Sequence, residues 1–222
     1  MGKILVVNPN SSRSVTESMR ACTKGLEALV PHRIEWKTNE KGPAGIETDA
    51  HVGEVVPHLQ EIVASSDADA FVVGCFSDPA VPLLRHETGR PVVGLAEAAC
   101  RYAMSLTRRF GIISIVDASV VRHRAQVEAI GIEGWLAGDR ALQLGVAELG
   151  GGGTLERLRV VGQQLRDDDG AEALILGCAG LGRYRSSLEA VLEVPVIDPV
   201  MASVAHVNMA LMLARSDGGP VS

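Results

Sequence analysis

The sequence is poor in cysteine: 222 residues hold four, Cys22, Cys75, Cys100 and Cys178, with no CxxC pair and no histidine at zinc-finger spacing. That excludes a disulfide framework and a structural zinc site, so no metal is expected. No apolar run approaches the roughly 20 residues a membrane span requires. The run Ile4–Val7 stops at Asn8-Pro9, too short for a signal-peptide core. The expectation is a soluble, cytoplasmic protein in a reducing compartment, with no membrane partner. Basic residues are scarce as well: 21 Lys and Arg against 27 Asp and Glu give a net charge of −6, and the cations are dispersed. Phosphate binding needs concentrated Lys and Arg, which argues against nucleic acid as a partner.

Cofactor and nucleophile motifs are missing too. No GxGxxG or P-loop follows an apolar run, and Gly150 to Gly153 lack the lysine that would complete a phosphate cradle. His86-Glu87 opens like a zincin helix, but Arg90 stands where the second histidine is required. No serine occupies a GxSxG elbow. The expected cofactor is therefore none.

What is present is a globular composition, 46% hydrophobic and 22% charged, although only 3% aromatic. The length suits one or two domains with a core that needs no staples. Short β-branched runs alternate with segments of helical period, the pattern of an α/β protein with mostly parallel sheets. Strands are expected at Lys3–Val7, His32–Lys37, Ala70–Gly74, Pro91–Gly94, Arg109–Ile115, Ala173–Gly177 and Val194–Ile197. Ser14 to Glu17 has capping-box spacing and opens a helix toward Leu29. Further helices are expected at Gly53–Ala64, Glu97–Ser105, Val120–Ala129, Leu155–Arg166 and Val200–Ala214, with a frayed tail from Ser216 to Pro220.

The most informative feature is an internal repeat. Ala70 to Cys75 matches Ala173 to Cys178 at an offset of 103, Pro91–Val93 matches Pro195–Ile197 at 104, and Gly2–Val6 pairs with Gly111–Ile115 at 109. Three strands recurring in order imply two pseudo-symmetric α/β domains with a cleft between them. One would span residues 1–98, completed by the helix 200–214, and the other 99–199. Ligands in such sheets lie beyond the carboxyl ends of the strands, which places Cys75 and Cys178 on opposite walls.

Each cysteine follows a glycine at a strand end. Ser77 or Asp78 can cap a helix with Pro79 at its first position, and a helix N-terminus lowers a thiol pKa. Cys22 and Cys100 fall inside expected helices and are assigned to packing. The loop Asn8 to Ser12 offers amides and hydroxyls to the cleft and also suits a turn with a helix cap. Ser114, Asp117 and Ser119 lie at the corresponding end of the second half. The loop Gly42–Asp49, with Ile46, is placed to cover the cleft. Two facing thiols suit proton transfer at a stereocentre: one removes a proton as thiolate, the other returns one to the opposite face, and the substrate supplies its own acidity through an adjacent carbonyl.

Asn8-Pro9-Asn10-Ser11, Gly74-Cys75-Phe76-Ser77-Asp78-Pro79 and Leu176-Gly177-Cys178-Ala179-Gly180 together resemble the aspartate/glutamate racemase superfamily, and within it the hydantoin and allantoin racemase group. The resemblance covers nearly the whole chain. It implies a cofactor-independent racemase, with Cys75 and Cys178 as the catalytic pair. It also implies that Asn10 and the stretches Phe76-Ser77-Asp78 and Ala179-Gly180 bind substrate, and that the chain forms a homo-oligomer. Amino-acid racemases of this superfamily usually follow their cysteines with Asn-Thr and with Thr-His or Thr-Glu. Phe76-Ser77 and Ala179-Gly180 instead favour a ring amide, a 5-substituted hydantoin or allantoin, as the small-molecule substrate. The hydantoin group usually has glycine where Ser77 stands, which leaves the exact substrate open. Arylmalonate decarboxylases keep only the second cysteine. Maleate cis–trans isomerases keep both but call for cations or more hydroxyls near the site, and the three loops contain no Arg or Lys. Maleate cis–trans isomerases, amino-acid racemases and a non-catalytic binding module remain as alternatives.

Overall fold

The computed structural model describes residues 1–216, with side chains to Ala214. The expected frayed tail lies outside the described residues beyond Ser216. Strands β1 (Lys3–Asn8), β2 (Arg33–Thr38), β3 (Ala70–Val73) and β4 (Val92–Gly94) form a parallel sheet in the order β2-β1-β3-β4. β5 (Phe110–Ser114), β6 (Leu136–Ala141), β7 (Ala173–Leu176) and β8 (Val196–Ile197) form a second, in the order β6-β5-β7-β8. The helices are α1 (Arg13–Glu27), α2 (Asp49–Ala64), α3 (Val81–Thr88), α4 (Leu95–Leu106), α5 (Asp117–Ala129), α6 (Thr154–Asp167), α7 (Arg185–Leu192) and α8 (Pro199–Ser216). None of the described helices is long and apolar enough to cross a membrane.

The two sheets follow one plan, and their ladders fix the register of the repeat. β1 pairs Ile4 with Ala70 and Val7 with Val73, while β5 pairs Phe110 with Ala173 and Ile113 with Leu176. Ile4 therefore corresponds to Phe110, an offset of 106, which corrects the match at 109. Both segments are featureless apolar runs that slide against each other without penalty on paper. The ladder agrees with the other two offsets, since Phe71 faces Val92 where Leu174 faces Val196.

Strand alternation sorts the side chains into three cores. Ile4 and Val6 turn inward and share one core with Phe110, Ile112, Ala173 and Ile175, into which α4 and α8 pack. Leu5 and Val7 turn outward to Val55 and Leu59 of α2. Ile113, Leu174 and Leu176 turn outward to Leu158 and Leu165 of α6 and Leu188 of α7. Burial of each such side chain contributes about 1.5–3 kcal/mol. The shared inner core joins the two sheets into one body, and α8 returns from the second sheet to pack on α4, α1, β3 and β4 of the first.

Several local expectations need correction. α1 starts at Arg13, capped by Ser12, whose Oγ accepts from the Val15 N–H at 3.4 Å, so the Ser14 box is not used. The edge strand β6 carries Gly, Asp and Arg among half-buried positions and has no alternation to reveal it. α3 and α7 have eight residues each, too few for a periodic signal. α3 begins at Val81 behind a left-handed Ala80, with neither Ser77 nor Asp78 as its cap.

Asp78 caps α4 instead. Its backbone turns left-handed, at φ 45°, and aims the carboxylate at the start of that helix. Oδ1 accepts from Ala96 N–H at 3.0 Å, and Oδ2 accepts from Glu97 N–H at 2.9 Å and Gln126 Nε2 at 2.8 Å. Burial pushes the carboxyl up to about 7, against the pull of these main-chain N–H groups. The approach is so close that a Cβ on Gly94 would stand 2.1 Å from Asp78 Cγ, which explains the glycine at the helix entrance. Asp78→Ala is expected to cost about 3 kcal/mol, from a lost cap and orphaned donors. The fall should appear in the urea midpoint with an unchanged denaturant slope.

Candidate active site

Two glycines set the positions of the two thiols. Gly74 N–H donates to the Val7 carbonyl at 2.7 Å, and Gly177 N–H to the Ile113 carbonyl at 2.8 Å. A Cβ would stand 3.0 Å from the first oxygen and 2.7 Å from the second, so a larger residue would push the chain off the central strand. The next residue in each half is a cysteine. Cys75 enters a tight turn closed by Asp78 N–H on its carbonyl, and Cys178 precedes a 3-10 turn over Ala179–Tyr184.

Cys75 and Cys178 line one cavity of about 30 Å³. Asn10, Ile46, Phe76, Ser77, Ser119 and Ala179 line it with them. Of the other expected site residues, Asp78 serves α4 as described. Ser114 is fully buried and bonds His123 Nδ1 at 2.8 Å, behind the cavity wall. Gly180 contributes a main-chain N–H to the Cys178 sulfur, as Ser77 does to that of Cys75. Asp117 turns away and accepts from Gln143 Nε2 at 2.7 Å. The lining residues that the sequence did not reveal are Val15, Ile115, His123 and Val146. They come from elements remote from either cysteine motif, and only the tertiary fold brings them together.

Asn10 works in the turn and at the cavity together. Its Oδ1 accepts from Asn8 Nδ2 and Ser12 N–H, both at 2.9 Å. Among the described residues nothing accepts from its Nδ2.

The Gly42–Asp49 loop closes the cavity. Ile46 is buried under it, and the loop is tied to the second half from two sides. Glu47 Oε1 accepts from Val146 N–H at 2.8 Å. Arg122 of α5 donates to the Glu47 carbonyl at 3.1 Å, to Asp49 at 3.3 Å, to Ser119 Oγ at 3.1 Å and to Ser77 Oγ at 3.4 Å. Arg122 is the cation that the three loop sequences do not contain, yet its donors are taken up by the closure and it does not line the cavity.

A family profile described as Asp/Glu/Hydantoin racemase matches residues 4–207. The chain belongs to the Asp/Glu/hydantoin racemase family. It is a racemase, an isomerase by class. It is 32% identical to a hydantoin racemase of Pseudomonas sp. (strain NS671), over 96% of this chain and 87% of that one. A hydantoin racemase of Paenarthrobacter aurescens is 35% identical over 90% of this chain and 87% of its own. Among solved structures, the allantoin racemase from Klebsiella pneumoniae superposes with a TM-score of 0.90 at 29% identity, covering 96% of this chain and 89% of that one.

In this racemase the thiol electrostatics reverse the helix-terminus expectation. Burial pushes Cys75 up to about 12 and Cys178 up to about 11. The N–H groups of Ser77 and Gly180 pull the other way and lose. Both cysteines are half-buried and line the small cavity, where loss of hydration disfavours the thiolate. A thiolate on Cys178 would also raise Cys75, since like charges repel across the shared cavity. α3 starts six residues beyond Cys75, too far for its dipole to act. Cys100 is buried within α4, and Cys22 sits half-buried beside Asp198, raised by burial to about 11. Among the described residues no group of three His, Cys, Asp or Glu side chains is arranged to hold a metal ion.

Arg122→Ala removes one anchor of the closing loop and leaves both thiols in place. Alkylation of Cys75 and Cys178 by iodoacetamide at fixed pH, read by peptide mass spectrometry, should accelerate about tenfold. Buried Cys100 should not change.

Proposed function

We propose that this racemase inverts a carbon next to a carbonyl in a 5-substituted hydantoin or in allantoin, with Cys75 and Cys178 as its acid/base pair and no cofactor. The supporting observation is that two sulfurs from equivalent strand ends line one cavity. In this reading residues 1–98 with the 200–214 helix supply one wall and residues 99–199 the other. A thiolate on one wall takes the proton, the carbon flattens, and the thiol on the other wall protonates the opposite face. The charge moves onto the substrate's carbonyl oxygen, which the free amide hydrogens of Asn10 are placed to meet.

The lining favours a neutral ring. Val15, Ile46, Phe76, Ile115 and Val146 give apolar walls, and no cation among the described residues lines the cavity. A dicarboxylate or a free amino acid would lose its hydration there without a counter-charge, which weighs against the maleate isomerase and amino-acid racemase alternatives. The names of the hydantoin and allantoin racemase relatives agree with a cyclic ureide. A volume of about 30 Å³ holds one or two waters. Ordinary ligand pockets are about tenfold larger. The structure is thus a closed form, and substrate is admitted when the Gly42–Asp49 loop and Arg122 release each other.

Each single variant, Cys75→Ser and Cys178→Ser, should lose racemisation of 5-substituted hydantoins by at least about a thousandfold. Each should still exchange deuterium into only one enantiomer. Optical rotation and proton NMR in deuterium oxide read both, and racemisation near the wild-type rate in either variant overturns the two-thiol mechanism.

The pH profile carries a definite sign. Both thiols sit above their ordinary value, so near neutrality the thiolate is a minority species whose population rises tenfold per pH unit. The logarithm of kcat/KM should climb from pH 7 to 9 with a slope near one. A plateau already reached below pH 8 would contradict the raised thiols.

A further inference from the structure

One buried polar cluster faces the same cavity and takes no part in the proposed proton transfer. His123 of α5 is 2% exposed and lines the cavity with both cysteines. Its ring meets Phe76 edge to face, with centroids 4.7 Å apart. Nδ1 lies 2.8 Å from Ser114 Oγ and 3.2 Å from Asp139 Oδ2. The Asp139 side chain is itself 1% exposed, and among the described residues its Oδ1 has no partner.

These contacts select a tautomer. A carboxylate only accepts, and among the described residues Nδ1 is the group positioned to donate to Asp139, so the hydrogen has to sit on Nδ1. An imidazole with its hydrogen on Nδ1 alone presents a lone pair at Nε2. Among the described residues nothing donates to Nε2, which lies on the ring edge away from β5 and β6, and the ring borders both the cavity of the two cysteines and the packed space beside Cys100 and Gln126. The Asp139 and Ser114 contacts fix both the ring orientation and the tautomer, which is what a residue that reads a ligand requires.

We infer that His123 is a specificity-determining residue that accepts a hydrogen bond from a ring N–H of the substrate, with Asp139 and Ser114 as its positioning residues. The inference rests on the ureide reading and deepens it. A cyclic ureide carries N–H groups beside its carbonyls, and an analogue that lacks the matching N–H leaves Nε2 buried and unpaired. Discrimination of about 10- to 100-fold follows from that loss.

The test compares 5-benzylhydantoin with its N1-methyl and N3-methyl derivatives. Wild type should disfavour one methyl derivative by about 10- to 100-fold in kcat/KM. Asp139→Leu leaves the imidazole volume in place but frees its tautomer, and should reduce that ratio to about threefold or less. Asp139→Asn, whose side-chain oxygen still accepts from Nδ1, should restore most of it. Each ratio is taken within one variant, so a partly folded preparation cancels. In parallel, nitrogen-15 spectra of wild type should show the His123 Nε2 signal move on addition of 5-benzylhydantoin. An unmoved Nε2 signal, or full discrimination retained in Asp139→Leu, overturns the role of His123. A moved signal without racemisation of any hydantoin or allantoin supports the contact and overturns the functional reading alone.

Discussion

Desolvation of sulfur is the constraint around which the site is arranged. Cys75 and Cys178 share one small cavity, and the cost of charging either there exceeds what neighbouring N–H groups return. That cost keeps both thiols protonated by default, and a thiolate on Cys178 opposes a second on Cys75. The same burial that opposes thiolate formation strengthens the polar contacts inside, those of the Asn10 side chain among them. The contacts of Glu47 with Val146 and Arg122 hold the covering loop over the cavity.

Much of this was legible in the sequence because the fold repeats itself. Ala70 to Cys75 and Ala173 to Cys178 announce equivalent strand ends, and the ladders show the structural reason for the glycines between strand and thiol: a carbonyl of the central strand lies against each Cα. Asn10, Phe76, Ser77 and Ala179 were findable for the same reason, since they adjoin those strand ends. The match at 109 failed because apolar runs carry no register mark, and β6 escaped because an edge strand of Gly, Asp and Arg lacks alternation. Asp78 was misassigned because its partner, the start of α4, lies 18 residues away in the chain. Arg122 and His123 could not be seen at all. Both sit on α5, where His123 lines the cavity and Arg122 ties the covering loop, and only the tertiary fold brings them there.

The pseudo-symmetry is also selectively broken where chemistry would require it. Ser77 and Gly180 occupy equivalent places two residues after the cysteines, and both direct a main-chain N–H to sulfur, but only Ser77 adds a hydroxyl tied to Arg122. Asn8 and Ser114 occupy equivalent ends of the central strands. One builds the Asn8–Ser12 turn, the other supports an imidazole. A duplicated scaffold thus holds two sulfurs alike while giving each a different polar neighbourhood, as two faces of a chiral substrate demand.

The path of α8 has a mechanical consequence. The chain leaves the first half after α4 and comes back through Asp198 into a helix that packs on α4, α1, β3 and β4. The two sheets are thus joined twice, by the inner core they share and by the helix that carries the chain back. β3 and β7, the strands that carry the two sulfurs at their ends, are therefore seated on one common core, so a change that shifts one strand is felt by the other.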